Sequence, residues 1–461
     1  MNRISQDLQD YTKTEKQGLS VQKCLLLAWL AALALPAGAQ KAPPAKPSVP
    51  KFTENFLQVR GTDLWRGKFP FHNVGANLPD LFERFLHGED AAAQSMLADA
   101  KAAGVRFARC WGTTWGPEDF GLFERDRARW LNAFDRMLTA AANDNGISVV
   151  PSLLFNINML PEYVRRTTGK DEQVVDYLRP GSASNALAIA YVTAIVTRYK
   201  DDPRVLMWEI GNEYNLEADL SAQWKRRPAN QIPTSDGIRA FLIQIATLIK
   251  RIDRRHPVTS GNSDMRPYAW HIRQAMLAHR NAPNPFDYPM DWTKDTFAQY
   301  QEMLDFFNPP PLDVISVHLY PTSREDTPNW LFKNDTLAAT LPWTRTATDL
   351  LGKPLFVGEF DQEAVENNEE LPMLWTHDFL LRMRLGAAPL AALWAWEFEQ
   401  FRPPQPTPYT VSPQRTPALV RDLGAANQTI LADTAGATLP PNALTPKEIQ
   451  SPPKKVKPPK P

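Results

Sequence analysis

Glu213 and Glu359 are the residues of this chain best suited to do chemistry. Glu213 closes the run VLMWEIGNE (Val205–Glu213), and Glu359 lies in KPLFVGEF (Lys353–Phe360). Two carboxylates facing each other across a bond between sugars can cut it. One is held protonated and gives a proton to the leaving oxygen, and the other stays ionised and attacks the anomeric carbon. The two are 359 − 213 = 146 residues apart, so only a fold that gathers distant strand ends can pair them. A barrel of parallel strands does so, because its working residues come from several strand ends on one rim.

Suitable neighbours stand at other predicted strand ends. Asn212 precedes Glu213 and can bond a sugar 2-hydroxyl. Arg109 is a fixed cation able to keep Glu359 ionised. His318 and Tyr320 alternate on one face of their strand and can donate to a carboxylate or a sugar. Trp394 can lie beneath a reacting ring, and only one of Trp394 and Trp396 is expected to point inward. Each residue alone has a blander reading: a surface glutamate, a structural salt bridge, a core histidine. Their common position at strand ends, in chain order, favours the chemical reading. Among competing carboxylates, Glu209 falls inside the barrel as a support if Glu213 is at the rim, and Glu397 and Glu399 rank below the main pair.

The elements that would position these residues are legible as apolar runs. Strands are expected at 71–77, 104–111, 146–155, 204–210, 256–262, 312–320, 353–360 and 389–396, with room for a helix in every gap. Two helices show their stripes directly: Ile189, Val192, Val196 and Tyr199, then Leu242, Ile245, Ile249 and Ile252. Strands alternating with helices imply a parallel sheet. A doubly wound open sheet reads similarly, but eight strands with polar C-terminal ends favour an α/β (β/α)8 TIM barrel. The long segments after Gly211 and Asn262 carry Trp224, Tyr268, Trp270, Tyr288 and Trp292, which could wall a sugar cleft or simply pack against helices.

WEIGNE followed by SVHLYP, FVGEF and LWAW resembles the retaining β-glycosidases built on such barrels, above all glycoside hydrolase family 5, the cellulase and β-mannanase family. The resemblance spans the whole predicted domain, including the closing segment Tyr409–Asn427. It implies that Glu213 is the acid/base and Glu359 the nucleophile. It further implies that Arg109, Asn212, His318, Tyr320 and Trp394 are their companions. GVRFARCWG matches the second-strand pattern that puts Arg109 rather than Arg106 in the site. RCWG and LWAW lean towards the mannanase-like branch. The third strand, PSLLFNIN, lacks the histidine of many members, and Asn156 or Asn158 can fill that space. Trp111 and Asn156 complete the expected substrate-binding set.

Composition excludes other classes. Net charge is zero, with 51 basic and 51 acidic side chains, so nothing draws the protein as a whole to nucleic acid or to anionic lipid. The seven histidines show no zinc spacing, and phosphate loops, dinucleotide fingerprints and serine elbows are absent. No cofactor or metal is expected. Of two cysteines, Cys24 belongs to an apolar run, Cys24–Leu35, that reads as an export signal ending near Ala39, with an uncleaved anchor as the alternative. Cys110 is then alone and reads as a small core residue. The expected layout is a signal at 1–39, a Pro/Lys linker at 40–52, one glycosidase domain at 53–430 and a disordered Pro/Lys-rich tail at 431–461. The expectation is an exported, monomeric hydrolase of a β-linked mannan or glucan, secreted or periplasmic. The rivals are a glycosidase for another glycan or glycolipid, and a barrel that binds carbohydrate without cutting it.

Overall fold

Short, fully buried strands alternate with helices along the computed structural model, which describes residues 56–282, 287–320, 339–361, 370–398 and 410–435. The export signal, the linker as far as residue 52, and the tail beyond 435 lie outside these residues.

An antiparallel sheet comes first, made of β1 (Leu57–Arg60), β2 (Asp63–Arg66) and β3 (Phe69–Pro70). Eight further strands follow: β4 (Asn73–Asn77), β5 (Phe107–Trp111), β6 (Ser148–Ser152), β7 (Trp208–Glu209), β8 (Val258–Thr259), β9 (Ile315–Leu319), β10 (Leu355–Phe360) and β11 (Leu390–Leu393). They pair in parallel in the order β8-β7-β6-β5-β4-β11-β10-β9. A parallel bridge between Thr259 and Val314 joins the two ends of that order, and Thr259 Oγ1 donates to Val314 O at 3.0 Å. The eight strands thus close into the expected barrel, and every expected run contains one of them.

Both faces of each barrel strand are covered, so the strands read as continuous apolar runs rather than alternating ones. Outward residues such as Ala108, Trp208, Val317 and Val357 pack in the large core under the helices. Inward residues at the N-terminal end, including Phe107, Val150, Val314 and Phe356, form a second core with Leu57, Leu64 and Phe71. The small antiparallel sheet therefore floors the barrel. Burying each of those three side chains contributes on the order of 1.5–3 kcal/mol. The sequence reading did not include this sheet.

Both striped helices form. Ala183–Tyr199 is capped by Ser182, which accepts from Asn185 N, and it buries Val192, Val196 and Tyr199, while Ile189 is only half-buried. Ser235–Ile252 is capped by Thr234 and buries Leu242, Ile245 and Ile249. The last helix, Pro417–Ala435, runs five residues past the expected boundary at 430. Its Asn427 accepts from Val74 N at 2.9 Å and from Asn73 Nδ2 at 2.8 Å, tying the helix to the first barrel strand. Cys110 is buried in β5, where burial pushes its thiol up and away from reactivity.

One irregularity matters for the site. Between β9 and β10 the partners run Val357 with Val317 and then Glu359 with His318. Gly358 is an extra residue opposite no partner, a bulge that reverses the alternation of β10. Phe356 faces in and Val357 faces out; after the bulge Glu359 faces in again. A Cβ on Gly358 would lie 2.8 Å from His318 Nε2, so no larger residue fits without displacing that ring.

Candidate active site

The C-terminal ends of the strands converge on a buried polar cluster centred on Arg109. Its Nε donates to Glu209 Oε1 at 2.8 Å and to Oε2 at 3.0 Å. Nη1 donates to Glu359 Oε1 at 2.7 Å and to Asn77 Oδ1 at 2.9 Å, and Nη2 donates to Asn212 Oδ1 at 2.7 Å. Burial opposes the charge on Arg109, but Glu209 and Glu359 outweigh it and raise its pKa. The guanidinium is a permanent cation with its donors already aimed.

Glu359 receives a second donor on its other oxygen, since Tyr320 Oη lies 2.6 Å from Oε2. Burial first, and the Glu359 charge second, push the Tyr320 hydroxyl well above its ordinary range, so it remains a phenol and a donor. An arginine on one oxygen and a phenol on the other make the donor set of an anion.

Glu213 stands in a different setting. The regular strand ends at Glu209, and the ladder continues irregularly through Gly211 N to Ser260 O at 3.1 Å and Glu213 N to Gly261 O at 2.8 Å. Glu213 itself adopts left-handed backbone, with φ of 53°, so it sits on a turn beyond the strand rather than at its end. Gly261 permits this close approach, because a Cβ there would meet Gly211 O at 1.8 Å. Burial raises the pKa of Glu213, against the opposing pull of a Ser263 hydrogen bond and of Arg109. A carboxyl raised in this way holds its proton to higher pH than an ordinary glutamate.

His318 links the two carboxyls. Its Nδ1 lies 2.9 Å from Glu213 Oε1 and 3.5 Å from Glu359 Oε2. Burial lowers its pKa to about 4, so the ring is neutral at pH 7. Its Nε2 has no partner among the described residues, which puts the ring proton on Nδ1, between the two glutamates. One oxygen of Glu213, one of Glu359 and His318 Nδ1 all lie within 4.8 Å of one another. Three such groups would also suit a metal cation, but the Arg109 guanidinium already supplies positive charge beside Glu359.

Six of the nine expected site residues are therefore joined by direct hydrogen bonds: Glu213, Glu359, Arg109, Asn212, His318 and Tyr320. Trp394 is half-buried at the mouth, packed on Phe398 with centroids 6.1 Å apart. Trp396 is fully buried in the outer core; the regular strand ends at Leu393, so the two tryptophans do not share a face as residues two apart in a strand would. Trp111 is placed differently from expectation. It is 1% exposed, covered by Trp115, Phe155 and Phe398 at 5.1, 5.5 and 5.6 Å, and offers no face to a sugar. The accessible ring of that group is Trp115, 37% exposed. Asn156 does not reach the carboxylates; its Nδ2 donates to Trp115 O at 3.0 Å and so props up that ring.

Two members of the cluster were missed in the sequence. Asn77 ends β4, and its Nδ2 also donates to Gly358 O at 2.9 Å, bracing the bulge. Its only signal was a polar residue closing an apolar run. Ser263 follows the fifth run by one residue and is held by Asn215, which accepts from Ser263 N at 2.9 Å and donates to Ser263 O at 3.0 Å.

A closed eight-stranded parallel barrel that brings two glutamates together at the C-terminal ends of its strands is an architecture that glycosidases use. The chain belongs to the cellulase family, glycosyl hydrolase family 5, whose family model matches residues 69–396. It is similar to mannan endo-1,4-beta-mannosidase 8 of Oryza sativa subsp. japonica, 26% identical over 335 residues, covering 66% of this chain and 79% of that one. Mannan endo-1,4-beta-mannosidase 7 of the same plant is 26% identical over 330 residues, 66% of this chain and 76% of its own length. Among solved structures, the endo-1,4-beta-mannanase from Rhizomucor miehei superposes with a TM-score of 0.57 over 82% of this chain and 99% of its own, at 16% identity, a likeness of fold.

Proposed function

We propose that this protein is an exported retaining glycosidase that cleaves a β-1,4-linked mannan-type polysaccharide by double displacement. The observation that carries the mechanism is the pairing of two unlike carboxyls within 4.8 Å. That spacing suits retaining enzymes, whose carboxyls stand about 5–5.5 Å apart, and leaves no room for the water an inverting enzyme places between carboxyls about 6.5–9.5 Å apart.

Glu359, ionised between Arg109 and Tyr320, attacks the anomeric carbon. Glu213, with its pKa raised by burial, gives its proton to the glycosidic oxygen as the bond breaks, and a glycosyl ester on Glu359 remains. Glu213, now a carboxylate, takes a proton from water as that water attacks the ester, and Glu359 departs as a carboxylate. His318 donates from Nδ1 to Glu213 when that residue is ionised. Asn212 has its amide oxygen held by Arg109, which leaves its NH2 to donate to the sugar 2-hydroxyl. Trp394 provides a floor for the ring.

The choice of mannan rests on the named activity of the relatives, and export rests on the apolar run Cys24–Leu35. Among the described residues no helix is long and apolar enough to cross a membrane. The test is sugar release from β-mannan, glucomannan, cellulose and xylan, with Glu359→Ala as control. Release from the mannans by wild type and not by the variant is expected. Release by both would sink the nucleophile assignment, and preference for cellulose or xylan would overturn the substrate.

A further inference from the structure

A second aromatic group stands on the rim away from the carboxylates. Trp224 is 59% exposed and Trp292 39% exposed, large indole surfaces left in water where burial would have been favourable. Their centroids lie 4.7 Å apart, and Tyr268 meets Trp292 edge-on at 4.8 Å. Trp224 sits on the short helix Ala222–Lys225, whose cap Ser221 accepts from Trp224 N at 3.2 Å. Beside it, Glu217 takes Lys225 Nζ at 2.8 Å and Arg227 Nη1 at 3.6 Å. The group is thus an aromatic surface edged by charged hydrogen-bonding side chains.

Its place in the barrel gives it a direction. Trp224 follows β7, the fourth barrel strand and the one that leads to Glu213; Tyr268 and Trp292 follow β8, the fifth. Trp394 follows β11, the eighth, across the mouth from β7. The proposed acid Glu213 delivers its proton to the leaving oxygen, so the released part of the substrate extends over the loops on the Glu213 side.

We propose that Trp224, Trp292 and Tyr268 form a platform for a neutral pyranose ring in the leaving part of a β-linked polysaccharide, beyond the sugar whose oxygen Glu213 protonates. A pyranose with equatorial substituents has a face of C–H groups that packs on an aromatic plane while its hydroxyls reach the polar edge. The three rings hold one another in place, so little side-chain freedom is lost on binding. This assignment rests on the proposed glycosidase reading and adds to it a site for long chains.

The test compares Trp224→Ala, Trp292→Ala and the double variant on two substrates: polymeric β-mannan, and an aryl β-mannoside with no sugar on the leaving side. The ratio of kcat/KM on polymer to kcat/KM on the aryl glycoside should fall roughly 3- to 10-fold per ring removed, the worth of one aromatic contact. Calorimetry on the Glu359→Ala protein should show affinity that rises with oligosaccharide length and loses that rise when Trp224 is also replaced. Melting temperatures near that of wild type would separate lost binding from lost fold. If wild type cleaves both substrates and the ratio does not move, the platform is overturned while the enzyme reading stands. If wild type cleaves no β-linked glycan at all, the reading fails and the platform with it.

Discussion

Arg109 lies side-on to Glu209, with Nε within 3.0 Å of both carboxylate oxygens, and this pairing leaves Nη1 for Glu359 at 2.7 Å. Glu209 takes no position at the rim. It sits inside the barrel, fully buried, and fixes the plane of the guanidinium that the rim carboxylate uses. One cation thus serves two carboxylates, and the geometry of the second depends on the first.

Arg109→Met should expose that dependence. It leaves Glu209 and Glu359 buried without their cation, which costs about 3–5 kcal/mol of stability for a broken buried pair, read by urea denaturation. Adding Glu209→Gln should restore part of the stability and none of the activity. Full recovery of turnover in the double variant would show that Arg109 acts only as structural ballast.

Glu213→Ala should reduce kcat far more for substrates with poor leaving groups than for aryl glycosides whose leaving group needs no proton. Burial raises the pKa of Glu213, so the alkaline limb of the wild-type kcat/KM profile should lie above the ordinary carboxyl range and vanish in the variant on activated substrates. Equal losses on all substrates would argue against an acid role.

Tyr320→Phe removes the phenol that donates to Glu359 at 2.6 Å and keeps the ring. The expected loss is roughly 10²-fold in kcat, the worth of one preorganised donor to a reacting oxygen, with KM little altered. A change confined to KM would place Tyr320 on the substrate rather than on the nucleophile.

His318 makes stability depend on pH. Its pKa falls from 6.5 in the unfolded chain to about 4 on burial. Between those values the unfolded chain binds a proton that the folded protein does not, so stability rises with pH across this window. The contribution is complete above about 6.5 and is lost as pH falls towards about 4. Melting temperature should decline over that range in wild type, and more shallowly in His318→Asn. Matching slopes would remove His318 as the cause.

The eight barrel strands were legible because a parallel strand covered on both faces must be an uninterrupted apolar run, and such runs are scarce elsewhere. The floor was not. Leu57–Pro70 alternates over short lengths, and its turns at Gly61 and Gly67 look like any loop. Charged residues of the site stood out because Arg109 and Glu359 interrupt apolar runs. Asn77 and Ser263 did not, since a neutral polar residue at a strand end has many ordinary uses. Glu213 was legible as a residue but not as a conformation: only the left-handed backbone, supported across the gap by Gly261, carries it off the strand. Trp111 is a strand-end aromatic suited to a sugar, but its position in the sequence cannot reveal that Trp115 packs over it.

The Gly358 bulge makes β10 sensitive to its length as well as to its letters. One further residue inserted between Gly358 and Glu359, with the bulge kept, would carry Glu359 to the outer face, among apolar side chains and out of reach of Arg109 and Tyr320. Every residue type of the site would still be present and the reaction would be lost. Along Leu355–Phe360 substitutions are therefore a matter of degree, whereas a one-residue insertion ahead of Glu359 is all-or-none, as a shifted reading frame is to a gene.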